Sequence, residues 1–224
     1  MAEKVAFTSK GGAEASGEIA LPSGGGRAPA VVLIQEWWGL NDHIRSLLDR
    51  LAAAGFVALA PDLYHGTSTK DPEEAARLMN ALDKPRALDE IAGAVRFLAG
   101  HGRTNGKVGV MGFCLGGALS FAAAATIPEL GAAVPFYGIP SPAPDYSRVK
   151  APIQAHFASR DAWAKPELAE AIRAELAGRG QEMELHIYEA DHAFVNDTRP
   201  EVYDPGAAKL AWDRCTTFLR KHLA

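Results

Sequence analysis

Two cysteines, Cys114 and Cys215, are all that this chain of 224 residues carries, too few for a disulfide framework or a cysteine-based zinc site. No apolar stretch is long enough to span a bilayer, and the opening Met-Ala-Glu-Lys-Val-Ala-Phe has no signal-peptide core. Positive charge is not in excess either. The 23 Lys and Arg against 27 Asp and Glu leave a net charge of −4, which argues against a nucleic-acid surface or a polybasic membrane patch. A cytoplasmic protein with neither kind of partner is the expectation. No internal repeat, linker or patterned dimer surface is visible, so a single domain spanning residues 1–224, acting as a monomer, is expected. Apolar residues are plentiful: at 48% they suffice for one sizeable core at this length.

Strand-like and helix-like segments alternate along the chain. Val5–Thr8 and Glu18–Leu21 read as an N-terminal hairpin or edge pair around glycine-rich turns. Ala30–Gln35 is a buried strand, and Asp42–Ala54 has helical apolar spacing, with Asn41 or Asp42 as its cap and Gly55 as its stop. Phe56–Ala60 is a strand closed by Pro61-Asp62. A polar segment, Tyr64–Pro72, leads to helices near Pro72–Leu82 and Pro85–Leu98. Further strands follow at Val108–Gly112, Ala132–Tyr137, Pro152–Phe157 and Met183–Tyr188, with helices at Gly116–Ala125, Pro166–Ala177 and Pro205–His222. Cys215, inside the last amphipathic pattern, suits a small buried hydrophobe. Such alternation predicts an α/β fold: a mostly parallel sheet with helices on both faces.

One segment carries the chemistry. Lys107-Val-Gly-Val-Met-Gly-Phe-Cys114-Leu-Gly-Gly117 is an apolar strand running into a G-x-nucleophile-x-G turn, with cysteine where serine is usual. The flanking glycines permit a turn too tight for side chains, which holds the central residue strained and its reactive atom exposed. A helix beginning there aims its N-terminal amides at the thiol and favours the thiolate. The alternative is a tight β–α turn around an ordinary buried cysteine. Two later residues argue for chemistry. Asp161 closes the polar end of one strand-like run, and His192 follows the next. Nucleophile, acid, histidine is the α/β-hydrolase order, and in a parallel sheet the C-terminal strand ends share one edge.

These residues give the chain a family likeness. It resembles the dienelactone hydrolases (carboxymethylenebutenolidases), a cysteine-using branch of the α/β-hydrolase fold. The likeness rests on Gln35-Glu36-x-x-Gly39, Ala60-Pro-Asp-Leu-Tyr64, Gly112-Phe-Cys-Leu-Gly-Gly117, Tyr137-Gly138, Asp161 and His192-x-Phe194, in order along nearly the whole chain. It implies an α/β-hydrolase fold, a Cys114-His192-Asp161 triad, an oxyanion hole from the Leu115 and Trp37 amides, and a Glu36 carboxylate controlling thiol protonation. No cofactor is implied, and the expected substrate is a small ester or lactone. Dienelactone-cleaving members hold the substrate carboxylate with two arginines. Here Asn196 stands at one of those positions and Pro72 at the other, while Arg77 and Arg199 lie nearby as candidate replacements or as solvated surface residues.

Glu36 stands beside Trp37 and Trp38, which points to a carboxyl in an apolar cleft with a raised pKa. Trp37, Trp38, Tyr64, Phe113, Tyr137, Trp163 and Phe194 are candidates to line that cleft, with core packing the alternative for each. Two other functions compete. An exposed low-pKa thiol also suits a redox sensor on a hydrolase scaffold, although sensing needs neither Asp161 nor His192. A metal hydrolase would need His186, His192 and Asp161 to converge, yet no H-x-x-x-H helix pattern is present.

Overall fold

The computed structural model describes residues 2–224. Its centre is β3 (Ala28–Ile34), in which every residue from Ala30 to Ile34 is fully buried. That continuous apolar run, without alternation, is what a parallel strand covered on both faces requires. β3 is flanked by β4 (Val57–Pro61) and β5 (Thr104–Phe113), both parallel to it. Beyond β5 the sheet continues in parallel through β6 (Ala132–Phe136), β7 (Ile153–Ala158) and β8 (Met183–Tyr188). On the other side β2 (Glu14–Ala20) pairs antiparallel with both β4 and β1 (Glu3–Thr8). The order is β1-β2-β4-β3-β5-β6-β7-β8. This is the mostly parallel α/β-hydrolase sheet expected from the sequence.

Helices cover both faces. α1 (Asp42–Ala53) packs on β2 and β4, and α6 (Pro205–Leu223) on β3, β5, β6 and β7. They meet where the Arg50 guanidinium lies 4.5 Å over the Trp212 ring. The opposite face carries α3 (Lys84–Gly100) and α4 (Leu115–Thr126), with α5 (Pro166–Ala177) joined to α4 through a short 3-10 turn at Tyr146–Arg148. α2 (Pro72–Ala81) precedes α3. The start signals work by side-chain capping: Asn41, Asp71, Asp83 and Asp204 each accept first-turn amides, as Asn41 Oδ1 does from the Ile44 amide at 3.2 Å. Among the described residues no helix is long and apolar enough to cross a membrane.

Two strands are longer than their apolar patterns. β5 begins at Thr104, four residues before the apolar run, because Ala28 of β3 pairs with it there. The polar Asn105-Gly-Lys stretch is exposed and leaves no periodic signal. β2 begins at Glu14 because its first half is an edge-like hairpin arm that faces solvent at alternate residues.

The connections reverse direction at β3. α1 leads the chain from β3 outward to β4, whereas α3 returns it across to β5 on the other side, opening a crevice at the C-terminal ends of β3 and β5. α4 must start very close to those ends. A Cβ on Gly116 would fall inside van der Waals contact with the Ile34 carbonyl oxygen and 2.7 Å from that of Gln35, and one on Gly112 would collide with the Gly116 carbonyl. Gly116→Ala is therefore expected to cost about 1 to 3 kcal/mol of stability through overpacking. Denaturant midpoints check this; an unchanged midpoint would show that the helix can shift away from the sheet.

Candidate active site

Cys114 is the single residue between β5 and α4. Its backbone sits at φ +55° and ψ −112°, a region closed to most L-residues. The strain is held from both sides: the Cys114 amide donates to the Phe136 carbonyl at 3.1 Å, and its own carbonyl accepts from the Ala118 amide at 3.1 Å. No side chain caps the start of α4, so its first amides have no side-chain acceptor. The thiol is part-exposed, whereas Cys215 is fully buried in α6.

The acid and histidine turns lie past β7 and β8. Asp161 Oδ1 accepts the amides of Trp163 (2.8 Å) and Ala164 (2.9 Å), and Oδ2 accepts His192 Nδ1 at 2.6 Å. A carboxylate can only accept, so Nδ1 carries the proton and Nε2 is free to face the Cys114 thiol. Burial works against the Asp161 charge, yet the hydrogen bonds from His192 and the two amides hold its pKa below the ordinary carboxylate range. Burial also opposes a charged His192, but hydrogen bonds to Asp161 and Cys114, with their charges, outweigh it and push its pKa up to about 10. A bidentate ion pair, Arg160 to Asp191 at 3.1 and 3.2 Å, ties the two turns together. Ala193, just after the histidine, also has positive φ, as does Tyr137 past β6, whose ring lies 5.1 Å from that of His192. Backbone strain thus concentrates around these three side chains.

Glu36 lies past the end of β3, 1% exposed. Its Oε2 accepts from Asn196 Nδ2 at 2.8 Å, and its Oε1 has no partner. Burial raises the Glu36 pKa, offset in part by the charges of His43 and His192, the Asn196 hydrogen bond and Arg199. Asn196, met in the sequence only as an exchanged arginine position, is therefore the donor that fixes this carboxyl. His43 is the residue the sequence did not single out. It reads as an ordinary apolar-face position in α1, yet it is buried near Glu36, with Nδ1 3.4 Å from Asp197.

Two cavities open on Cys114 and His192. The smaller, about 230 Å³, is lined by Glu36, Trp37, Trp38, Pro72, Trp163 and Arg199. The larger, about 800 Å³, runs along α4 and includes Tyr137 and Trp163 at the catalytic end. Trp163 is 68% exposed and packs edge-on against Trp37, forming the rim between them. Three aromatic candidates are corrected. Phe113 and Phe194 line neither cavity: both are fully buried, stacked on Phe136 and packed against Tyr137 and Tyr188 respectively, because the strand end and the His192 turn aim them into the core. Tyr64 is buried outside both cavities, although burial and the charge of Cys114 raise its phenol pKa. Arg77 is also corrected. It is exposed on α2, held by Glu74 at 2.6 and 2.7 Å, and lines neither cavity. Arg199 does line the smaller cavity; it lies over Trp38 at 5.7 Å, and its Nε donates to Glu201 at 2.8 Å. His186 lies on β8 beside His156 and Glu184, not in the His192 turn. Among the described residues no group of three or more His, Cys, Asp or Glu is placed to hold a metal ion.

An eight-stranded sheet of this order has the α/β-hydrolase fold, and the family that the chain matches is one of carboxylic ester and lactone hydrolases. Residues 16–223 match the profile of the dienelactone hydrolase family, and the chain belongs to that family. It is 37% identical to a protein of Aquifex pyrophilus called protein usf, over the whole of both chains. It is 33% identical to the carboxymethylenebutenolidase of Pseudomonas putida, over 86% of this chain and 85% of that one. Among solved structures, a dienelactone hydrolase-like promiscuous phosphotriesterase from metagenomic libraries superposes with a TM-score of 0.88 at 26% identity, covering 100% of this chain and 99% of that one.

The raised pKa of His192 has a signed consequence. A group whose folded pKa lies above its unfolded value of 6.5 contributes its full stabilisation below that value and loses it as pH rises through about 10. Wild type should therefore lose stability relative to His192→Gln between pH 7 and pH 10 in urea titrations. A difference independent of pH over that range would mean that the imidazole is not held charged.

Proposed function

We propose that this chain is a cysteine-dependent hydrolase of small carboxylic esters or lactones, acting through Cys114, His192 and Asp161 and a thioester acyl-enzyme. The observation that carries this proposal is the pairing of a thiol on a strained elbow with an imidazole anchored to Asp161 at 2.6 Å. At neutral pH His192 holds the proton of the thiol, forming an ion pair with Cys114, and the thiolate adds to the scissile carbonyl. The oxyanion is received by the Leu115 and Trp37 amides, at about 3 to 4 kcal/mol per donor in well-studied hydrolases. The imidazolium returns its proton to the leaving oxygen as the tetrahedral adduct collapses to the thioester. Water, deprotonated by the same imidazole, then releases the acid and regenerates the thiol. Because thiolate leaves more readily than an amine, an amide adduct reverts; esters and lactones go forward. Glu36, protonated more readily than an ordinary carboxyl, governs the ionisation of Cys114. In this proposal the single domain, 1–224, works as a cytoplasmic monomer without a cofactor.

A redox-sensing role for Cys114 would leave the Asp161–His192 hydrogen bond and the doubly anchored Asp161 carboxylate without a purpose. Kinetics separate the two readings. Cys114→Ala should lower kcat/KM for an activated ester by at least about a thousandfold with an unchanged fold, and Asp161→Asn should keep partial activity with a misoriented imidazole. Activity within about tenfold of wild type in Cys114→Ala would overturn the proposal. Glu36→Gln should shift the pH profile of Cys114 alkylation by iodoacetamide; an identical profile would reduce Glu36 to a structural carboxyl.

The smaller cavity bears on the substrate. One family arginine position is Asn196, whose amide is committed to Glu36, and the other is Pro72 at the cavity wall. Arg199 is the cation that remains there, and Glu201 already shares its charge. A carboxylate entering this cavity therefore has one partly neutralised partner in place of two. Paired measurements of kcat/KM on a carboxylate-bearing enol lactone and its methyl ester should agree within about tenfold, the equivalent of one weak ion pair. A preference of about a hundredfold for the anion would instead assign Arg199 as a full replacement clamp.

A further inference from the structure

The larger cavity is too long for a small ester. It starts at Cys114 and follows one face of α4, with Leu115, Ala118, Leu119, Ala122 and Thr126 spaced as a single helical stripe. At about 1.5 Å per residue that stripe runs roughly 16 Å. Ala118 and Ala122 are part-exposed, whereas Phe121, Ala123 and Ala124 on the other faces of the helix are buried. The two alanines open the channel, since a larger side chain at either position would fill it.

Met79 of α2, Leu88 of α3 and the proline-rich loop Gly138–Pro144 complete its lining. Lys84 Nζ donates to the Ser141 carbonyl at 2.6 Å and pins that loop to the start of α3. Among the described residues lining this cavity none is Asp, Glu or Arg, and the Lys84 amine is engaged with the loop. Its lining is mostly apolar, with Asn80, Thr126 and Ser141 as uncharged polar residues among the aliphatic ones. The charged groups, Glu36 and Arg199, lie in the other cavity.

We propose that the larger cavity is an acyl-chain site, and that the substrate class of this hydrolase extends to esters of linear aliphatic acids of medium length. The proposal rests on Cys114 as nucleophile, because the channel begins at the sulfur and at the helix that starts beside it. The part of the substrate that stays on the sulfur in the thioester then lies along α4, and the smaller cavity, which holds Glu36 and Arg199 among its tryptophans, is left to the leaving group. Each methylene buried in such a channel favours the longer ester by up to about fourfold.

The test uses the p-nitrophenyl esters of acetic, hexanoic, decanoic and octadecanoic acid. In wild type kcat/KM should rise by at least about thirtyfold from acetate to decanoate and fall for octadecanoate, whose extended chain overruns the stripe. Lengthening the alcohol of an acetate ester should change it by less than about threefold. Ala122→Phe should cut the decanoate-to-acetate ratio by at least about tenfold. A flat acyl series, or a dependence on alcohol length instead, would overturn the proposal while leaving Cys114 chemistry intact.

Binding to Cys114→Ala, followed by tryptophan fluorescence, separates the two claims. If decanoate esters bind this variant more tightly than acetate but no ester acylates wild-type Cys114, the channel stands and the nucleophile assignment fails. Equal affinities for both esters would overturn the channel whatever the catalysis. A flat series in a protein that sediments as a dimer, and that Ala122→Phe dissociates, would assign the face to a second copy of the chain instead.

Discussion

The approach of α4 to the sheet is the constraint on which the rest of the molecule depends. The helix has to begin against the C-terminal ends of β3 and β6, and only a residue without a side chain fits at Gly116. That closeness leaves a single residue, Cys114, to turn the chain from strand to helix, and it does so in a conformation that costs on the order of 1 to 3 kcal/mol. The cost is met by the fully buried strands around it and by hydrogen bonds at both the amide and the carbonyl of the strained residue. In the proposed chemistry the same geometry lifts the thiol out of the core and sets it at an uncapped helix start.

Around that point the charges are arranged so that each one constrains the next. Asp161 is anchored by two amides before it meets His192, so the imidazole is presented with its Nε2 edge toward the thiol. Arg160 and Asp191 hold the two supporting turns in register from outside. Glu36 is treated differently. It has one amide partner, an oxygen without any, and a buried position, so its charge is disfavoured where that of Asp161 is favoured. Two carboxyl groups near one histidine are thereby pushed in opposite directions, the pattern by which sites separate acid from base roles.

Much of this was legible in the sequence, and the reasons are specific. Strands such as Ala30–Ile34 and Ala132–Phe136 are buried on both faces, so their composition alone marks them. The start of α1 was marked by Asn41, whose capping is local, while the matching caps Asp71, Asp83 and Asp204 emerge only in the structure. The order Cys114, Asp161, His192 was visible because each follows a strand of one parallel sheet. What was not legible depends on the direction a side chain takes. Phe113 and Phe194 adjoin Cys114 and His192 in the chain, yet they point into the core. Asn196 read as a missing arginine, although its amide completes the Glu36 site. The stripe of Ala118 and Ala122 was hidden because alanine on a helix is also what simple packing produces. Only the cavity that Ala118 and Ala122 line shows that they border open space.

In the proposed chemistry everything turns on the sulfur of Cys114 carrying the acyl group. Rapid-quench mass spectrometry of the protein with a slowly deacylating activated ester addresses it directly. An acyl mass increment is expected on the peptide containing Cys114, forming and decaying at rates that match turnover, and absent from Cys114→Ala and His192→Gln. Turnover with no increment on Cys114 at any time, or an increment on another residue with matching kinetics, would contradict it.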